Sequence, residues 1–198
     1  MTDYEEKILE ILKTNNGIVT ATQITEAGIP RRCLSSMVDS GAIYRVDRGI
    51  YTQPETWEDE LFFMQYRFSK GIFSHETALY LHGMVDRTPI RYTMTFPFGY
   101  NTGSVKKSNI FAKSSPKDTY ELGIMTMSSP VGNPIKVYDV ERTLCDIVKG
   151  RHRSDIQVIN QAMKTYAGSK DKDLAKLMSY SDQFRVKPKI LRYMEVLL

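Results

Sequence analysis

Residues 73–84 read FSHETALYLHGM and hold two of the chain's three histidines, His75 and His82, with Glu76 directly after the first. Histidine and glutamate in close succession are the side chains of zinc-assisted hydrolysis, so the stretch raises the question of a metal centre. The spacing argues against one. A zinc-protease helix sets its histidines four residues apart, on adjacent turns. His75 and His82 are seven apart, which offsets them by about 10 Å along a helix rising ~1.5 Å per residue. Two imidazoles at that offset do not share one ion with bonds of ~2 Å. The stretch reads instead as a short helix with ordinary punctuation. Ser74 is its cap, and Phe73 and Ala78 sit at the two staple positions. Glu76 lies in the first turn, where the dipole favours it, and Gly83 follows the end. The third histidine, His152, lies in the basic turn KGRHR with nothing to single it out. Neither a metal nor a cofactor is expected.

The second candidate is DVERTLCD, residues 139–146. Asp139 and Asp146 could share a helix face as a nuclease-like carboxylate pair. Ordinary helix features also cover every charge. Asp139 follows the run IKVY and is a good N-cap. Glu141 favours the helix dipole. Arg142 and Asp146 are spaced i, i+4, as in a surface ion pair. This second account is preferred, and no catalytic residue is expected. There is no GxSxG, no P-loop and no recognised Cys–His arrangement. The two cysteines, Cys33 and Cys145, are far apart and read as small buried hydrophobes. They fit neither a disulfide scaffold nor a zinc knuckle, and they suit a reducing cytoplasm.

The third group is arginine-rich. In TATQITEAGIPRRCLSSMVDSGAIYRVDRGIYT, residues 20–52, Arg31 and Arg32 are adjacent and Arg45 and Arg48 follow in a second pair. Arginine offers a fork of donors matched to guanine edges and to phosphate. Such side chains need elements to aim them. Apolar positions at Tyr4, Ile8, Ile11 and Leu12 predict a first helix, stopped by NNG at 15–17, with a short strand at Ile18–Val19. Thr20 or Thr22 can cap a second helix carrying Ile24 and Ala27 inward. Gly28 supplies a tight turn and Ile29 plugs the junction. Pro30 suits the first position of a third helix that buries Leu34, Met37 and Val38. Gly41 ends it. Ile43–Val46 and Ile50–Thr52 predict two strands around Asp47-Arg48-Gly49, a type I turn plus bulge.

Helix, strand, helix, turn, helix, hairpin is a winged helix-turn-helix. Its recognition helix presents N-terminal residues to the major groove. Arg31, Arg32, Ser35 and Ser36 fall there, and Arg45 and Arg48 fall in the wing. Thr22 and Gln23 could bond a phosphate. A protein–protein adaptor with a solvated arginine face is the alternative.

The 198 residues suffice for two small domains, and 41% hydrophobic with 25% charged content allows a real core. No apolar run approaches the ~20 residues of a membrane helix, and the acidic N-terminus lacks the features of a signal peptide. The net charge of +4 is uneven: residues 1–54 are net −1 and residues 55–198 net +5. The division predicted is a DNA-binding domain over 1–54 and a second domain over 55–198. Thr56 should cap a helix that buries Trp57, Leu61, Met64 and Phe68. IRYTMTFP, NIFAKSS, YELGIMTM and IKVYD predict about four strands of an antiparallel-type sheet. Apolar stripes along 139–149, 156–166, 174–178 and 188–197 predict flanking helices. The fold class is therefore α+β. Lys106, Lys107, Lys113 and Lys117 form a basic cluster that is either solvated or an extension of phosphate contact.

A winged helix followed by FSHETALYLHGM and then PIKVYDVERTLCDIV resembles the AbiEi antitoxin family of type IV toxin–antitoxin and abortive-infection (phage-defence) systems. The likeness spans nearly the whole chain. It implies an N-terminal domain that binds double-stranded repeats in its own promoter and represses the operon. It implies a C-terminal domain that opposes AbiEii, a nucleotidyltransferase-like toxin, without a stable complex. It places DNA contact on Arg31, Arg32, Ser35, Ser36, Arg45 and Arg48 and carries over no catalytic residue. Two alternatives remain: a regulator whose second domain senses a ligand, and an enzyme that reverses the toxin's modification, with Asp139, Glu141 and Asp146 as first suspects.

Overall fold

A computed structural model describes residues 2–150 and 154–198, apart from the side chain of Lys106. His152 lies outside the described residues. The chain forms two compact units. One comprises residues 1–67 with 128–134, and the other 68–127 with 135–198.

The first unit opens with α1 (Asp3–Thr14), held at its start by a capping box between Thr2 and Glu5. Then follow β1 (Ile18–Thr20), α2 (Ala21–Glu26), α3 (Arg32–Asp39), β2 (Tyr44–Asp47), β3 (Ile50–Thr52) and α4 (Glu60–Arg67). The strands form a three-stranded antiparallel sheet in the order β1-β3-β2. Ile8, Leu12, Val19, Ile24, Ile29, Leu34, Met37 and Ile43 make the core. They are the inward positions that helical and alternating periods predict. Two expected core residues are outside: Tyr4 is exposed, and so is Ala27, the C-cap of α2.

α4 begins at Glu60, three residues later than the sequence suggests. Its start is fixed by Asp59, whose carboxylate accepts the Phe62 N–H at 3.0 Å. Thr56 is not its cap; its hydroxyl donates to the Gly17 carbonyl at 3.2 Å. Trp57 therefore precedes the helix and is 84% exposed, not core. Leu61 and Met64 are buried as expected. The second oxygen of buried Asp59 accepts from the Ser129 hydroxyl and from the Asn133 amide at 2.7 Å. That knot attaches residues 128–134 to this unit.

The second unit contains β4 (Ile72–Phe73), α5 (His75–Leu81), β5 (Tyr92–Pro97), a 3-10 turn (Val105–Lys107), β6 (Ile110–Ser115), α6 (Lys117–Tyr120), β7 (Ile124–Ser128), β8 (Pro134–Tyr138) and four helices, α7 (Val140–Val148), α8 (Ile156–Gly168), α9 (Leu174–Gln183) and α10 (Lys187–Leu197). The sheet order is β6-β5-β4-β8-β7. It is mixed: β4 runs antiparallel to β5, while β4–β8 and β5–β6 are parallel. The short central strand β4 coincides with the start of FSHETALYLHGM. The helices pack around Leu79, Leu144, Ile147, Ile159, Met163, Leu177, Ile190 and Met194. Among the described residues no helix is long and apolar enough to cross a membrane.

Candidate nucleic-acid interface

The turn between α2 and α3 closes at Gly28, whose φ of +70° is one that side-chain-bearing residues rarely adopt. The Ile29 N–H returns to the Ile24 carbonyl at 3.0 Å, and Ile29 is 3% exposed. This plug fixes the angle between the two helices. Thr20 is the cap of α2, in a box with Gln23. Regular α3 starts at Arg32, two residues past Pro30, with Arg31 at the N-cap position. One face of α3 buries Leu34 and Met37, and the other shows Arg31, Arg32, Ser35 and Ser36 to solvent. No side chain caps the start of α3. The Cys33 and Leu34 amides donate to the Pro30 and Arg31 carbonyls at 3.0 and 3.1 Å, so the two guanidinium groups, rather than open amides, are what this face offers an anion. Arg31 is steadied by donation from Nε to the Thr25 hydroxyl at 3.0 Å. The Arg32 guanidinium has no ion pair or hydrogen bond among the described residues.

The wing turns more tightly than the sequence suggests. Asp47 pairs with Ile50, so Arg48-Gly49 alone make the turn, with Gly49 at φ +78°. The register shifts between Arg45 and Asp47, placing the bulge within β2 rather than after the turn. Arg48 is exposed and its guanidinium has no partner among the described residues. Exposed Arg45 donates to the Asp47 carbonyl at 3.4 Å. Tyr44 on the same strand is 52% exposed, a wing aromatic that spacing gave no reason to single out.

The two other expected phosphate ligands are differently disposed. Gln23 uses its side-chain oxygen within the capping box, accepting from the Thr20 amide at 2.8 Å and hydroxyl at 3.0 Å. The Thr22 hydroxyl lies 2.9 Å from the Tyr66 hydroxyl. The lysines are spread along the chain around β6. Lys107 precedes β6 and Lys117 follows it, with the strand's five steps of ~3.3 Å between them. Lys113, on the strand, lies 5.0 Å from the centre of the Phe111 ring.

In the second unit the two short motifs meet. α5 packs on α7, and the His82 Nε2 lies 2.7 Å from the Tyr138 carbonyl just before α7. His75 has an unusual φ of +53° and its Nδ1 contacts the Ser74 hydroxyl at 3.1 Å. Ser74 occupies the N-cap position but makes no side-chain cap; its hydroxyl accepts from Thr95 at 2.8 Å instead. Burial lowers the His75 pKa; the nearby Asp146 charge opposes this, and Lys113, Arg142 and Lys149 add to it.

Asp139 caps α7 as its position suggests, accepting the Arg142 N–H at 2.8 Å. The Arg142–Asp146 pair is present at 2.9 Å, but it is not on the surface: the side chains are 1% and 7% exposed. Arg142 lies between the Tyr138 and Phe184 rings, 4.2 and 4.1 Å from their centres, and also donates to the Thr119 and Leu122 carbonyls. Buried Glu141 faces Lys176 at 3.3 Å, and Asp139 faces the same ammonium at 3.0 Å. Burial alone would lower the Lys176 pKa; the bonds and charges of the two carboxylates outweigh it and hold the group above the usual lysine range. Burial, reinforced by Asp146, pushes the Cys145 thiol up to about 12. These carboxylates are engaged by cations and donors, so the arrangement joins elements together.

Residues 6–52 match the family model described as "Transcriptional regulator, AbiEi antitoxin". No curated protein matches. Among solved structures, the crystal structure of the RV2827C protein from Mycobacterium tuberculosis is similar at a TM-score of 0.55 and 15% identity, over 100% of this chain and 81% of that one. That likeness carries the fold. The match over residues 6–52 takes in α2, α3 and the wing, and it is this segment that is similar to the AbiEi antitoxin transcriptional regulators.

Proposed function

We propose that the protein binds double-stranded DNA in its own promoter and represses its operon, with the recognition helix in the major groove and the wing on the flanking backbone. Arg31 and Arg32 contact guanine edges or phosphates at the start of α3. Ser35 and Ser36 allow close approach, and Arg45 and Arg48 neutralise backbone charge from the wing. The observation that carries this reading is that the exposed Arg32 and Arg48 have no acidic partner among the described residues. Arginines without an acidic partner at the start of a recognition helix and in the wing form a surface ready for an anion. Thr22 serves beside them. Gln23 contributes only through its amide nitrogen, since its oxygen is held in the capping box.

The second unit carries the antitoxin activity in this reading. It counters a nucleotidyltransferase-like toxin encoded beside it, in a type IV arrangement that serves phage defence. Its acids act structurally, as their pairing with Arg142 and Lys176 supports.

The test separates the two roles within the full chain. A cut at Pro54 would divide the N-terminal unit, which takes in α4 and residues 128–134. Point variants are therefore used. With a promoter–reporter fusion and a toxin rescue assay run in parallel, Arg31→Glu/Arg32→Glu relieves repression and leaves rescue intact. Undiminished repression by that variant would overturn the assignment.

A further inference from the structure

The second unit contains a half-open cleft of about 810 Å³, within the ~300–1,000 Å³ usual for small-molecule sites. Its lining divides by chemistry. Arg87, Arg91 and Lys113 supply three cations, and Glu76 is the one carboxylate among the described lining residues. Phe111, 49% exposed, lies between two of the cations: Arg91 is 5.8 Å and Lys113 5.0 Å from its ring centre. Arg91 is further held by donation to the Ile110 carbonyl at 3.3 Å. Its direction is thus set before any ligand arrives, which lowers the ordering cost of binding. Opposite chemistry comes from Val85, Pro89 and Ile90, the last 79% exposed. His75 also lines the cleft and is one of only three described non-glycine residues with positive φ. Backbone strain of this kind persists where the surroundings impose it, and it gathers at ligand sites.

A concave surface that sets cations beside an exposed aromatic ring and apolar side chains matches a ligand with an anionic end and a flat, stackable body. We propose that this cleft binds a nucleoside phosphate, with the phosphates on Arg91, Lys113 and Arg87 and the base against Phe111 and Ile90. The chemistry is the same for a free nucleotide and for the terminal nucleotide of a single-stranded RNA. The site is separate from the recognition helix and wing.

The experiment uses the full chain carrying Arg31→Glu/Arg32→Glu, so that DNA-type binding by the first unit does not contribute. Isothermal titration with ATP, GTP, CTP and UTP, with inorganic phosphate, and with a short unstructured RNA distinguishes the sources. Saturable binding of at least one triphosphate, tighter than phosphate alone, assigns a free nucleotide. Binding of the RNA without the triphosphates assigns a strand terminus. In either case Arg91→Ala and Lys113→Ala each weaken binding about tenfold, the usual effect of removing a charged contact, and Arg91→Lys retains part of it. Circular dichroism confirms folding of each variant. Absence of binding by every probe overturns the proposal. So does equal binding by the folded Arg91→Ala and Lys113→Ala variants.

Discussion

At the residue scale, the most consequential side chain outside the DNA-binding surface is Arg142. Among the described residues it is the largest fully buried side chain, stacked between two rings and paired with Asp146. Removing one partner of a buried pair strands the other charge, at a cost of about 3–5 kcal/mol. Arg142→Met should therefore lower unfolding stability by roughly that amount in urea denaturation. Arg142→Met/Asp146→Leu should recover much of the loss. A single variant as stable as wild type would mean the pair does not hold α7 in place. His75 makes a pH prediction with a definite sign. Its pKa is lowered on folding, so between the folded value and the unfolded ~6.5 the unfolded chain binds more protons. Its contribution to stability is thus present above pH ~6.5 and is lost as the pH falls below it. Urea midpoints at pH 7.5 and 5.5 should diverge less in His75→Gln than in wild type. Equal divergence in both would remove His75 as the source. Spacing alone recovered the Arg142–Asp146 pair and the Asp139 cap, because both act within one helix. It missed their burial, which depends on Tyr138, Phe184 and Lys176 arriving from elsewhere in the chain.

At the element scale, the winged helix was legible because its punctuation is local. Gly28, Gly41 and Gly49 have positive φ where turns require it, and buried Ile29 and Ile50 directly follow Gly28 and Gly49. Elements fixed by distant partners were not legible. Strand β4 has two residues, too few to show a period, and the parallel pairing of β5 with β6 leaves no trace in alternation. Trp57 looked like core because it keeps helical spacing with Leu61 and Met64. The helix begins only at Glu60 because the Asp59 carboxylate, held by Ser129 and Asn133, sets its start. Asp59→Ala should accordingly cost about 3 kcal/mol, since it removes charge-assisted bonds to three buried or half-buried groups. The loss is to be read in urea denaturation. Trp57 gives a control at the same junction: as an exposed residue, Trp57→Ala should change stability by no more than ~0.5 kcal/mol. A large effect there with none at Asp59 would reverse the assignment of core and surface.

At the scale of the whole molecule, the charge is distributed in keeping with two roles. In the first unit four acids lie in α1 (Asp3, Glu5, Glu6 and Glu10) and four more at Glu55, Glu58, Asp59 and Glu60, while α3 and the wing present four arginines beside Asp39 and Asp47. The second unit keeps acids Asp139, Glu141 and Asp146 in paired, largely buried positions and lines its cleft with cations. The central claim is that α3 and the wing bind DNA through arginines that have no acidic partner among the described residues. Fluorescence anisotropy with a duplex from upstream of the gene, measured across ~50 to ~200 mM salt, tests it most directly. Four arginine–phosphate contacts predict an affinity falling on the order of 100-fold over that range. Arg31→Glu/Arg32→Glu should abolish the binding, and Arg48→Ala should reduce the salt slope by about one. An affinity indifferent to salt, or binding undiminished in the folded double variant, would contradict the account.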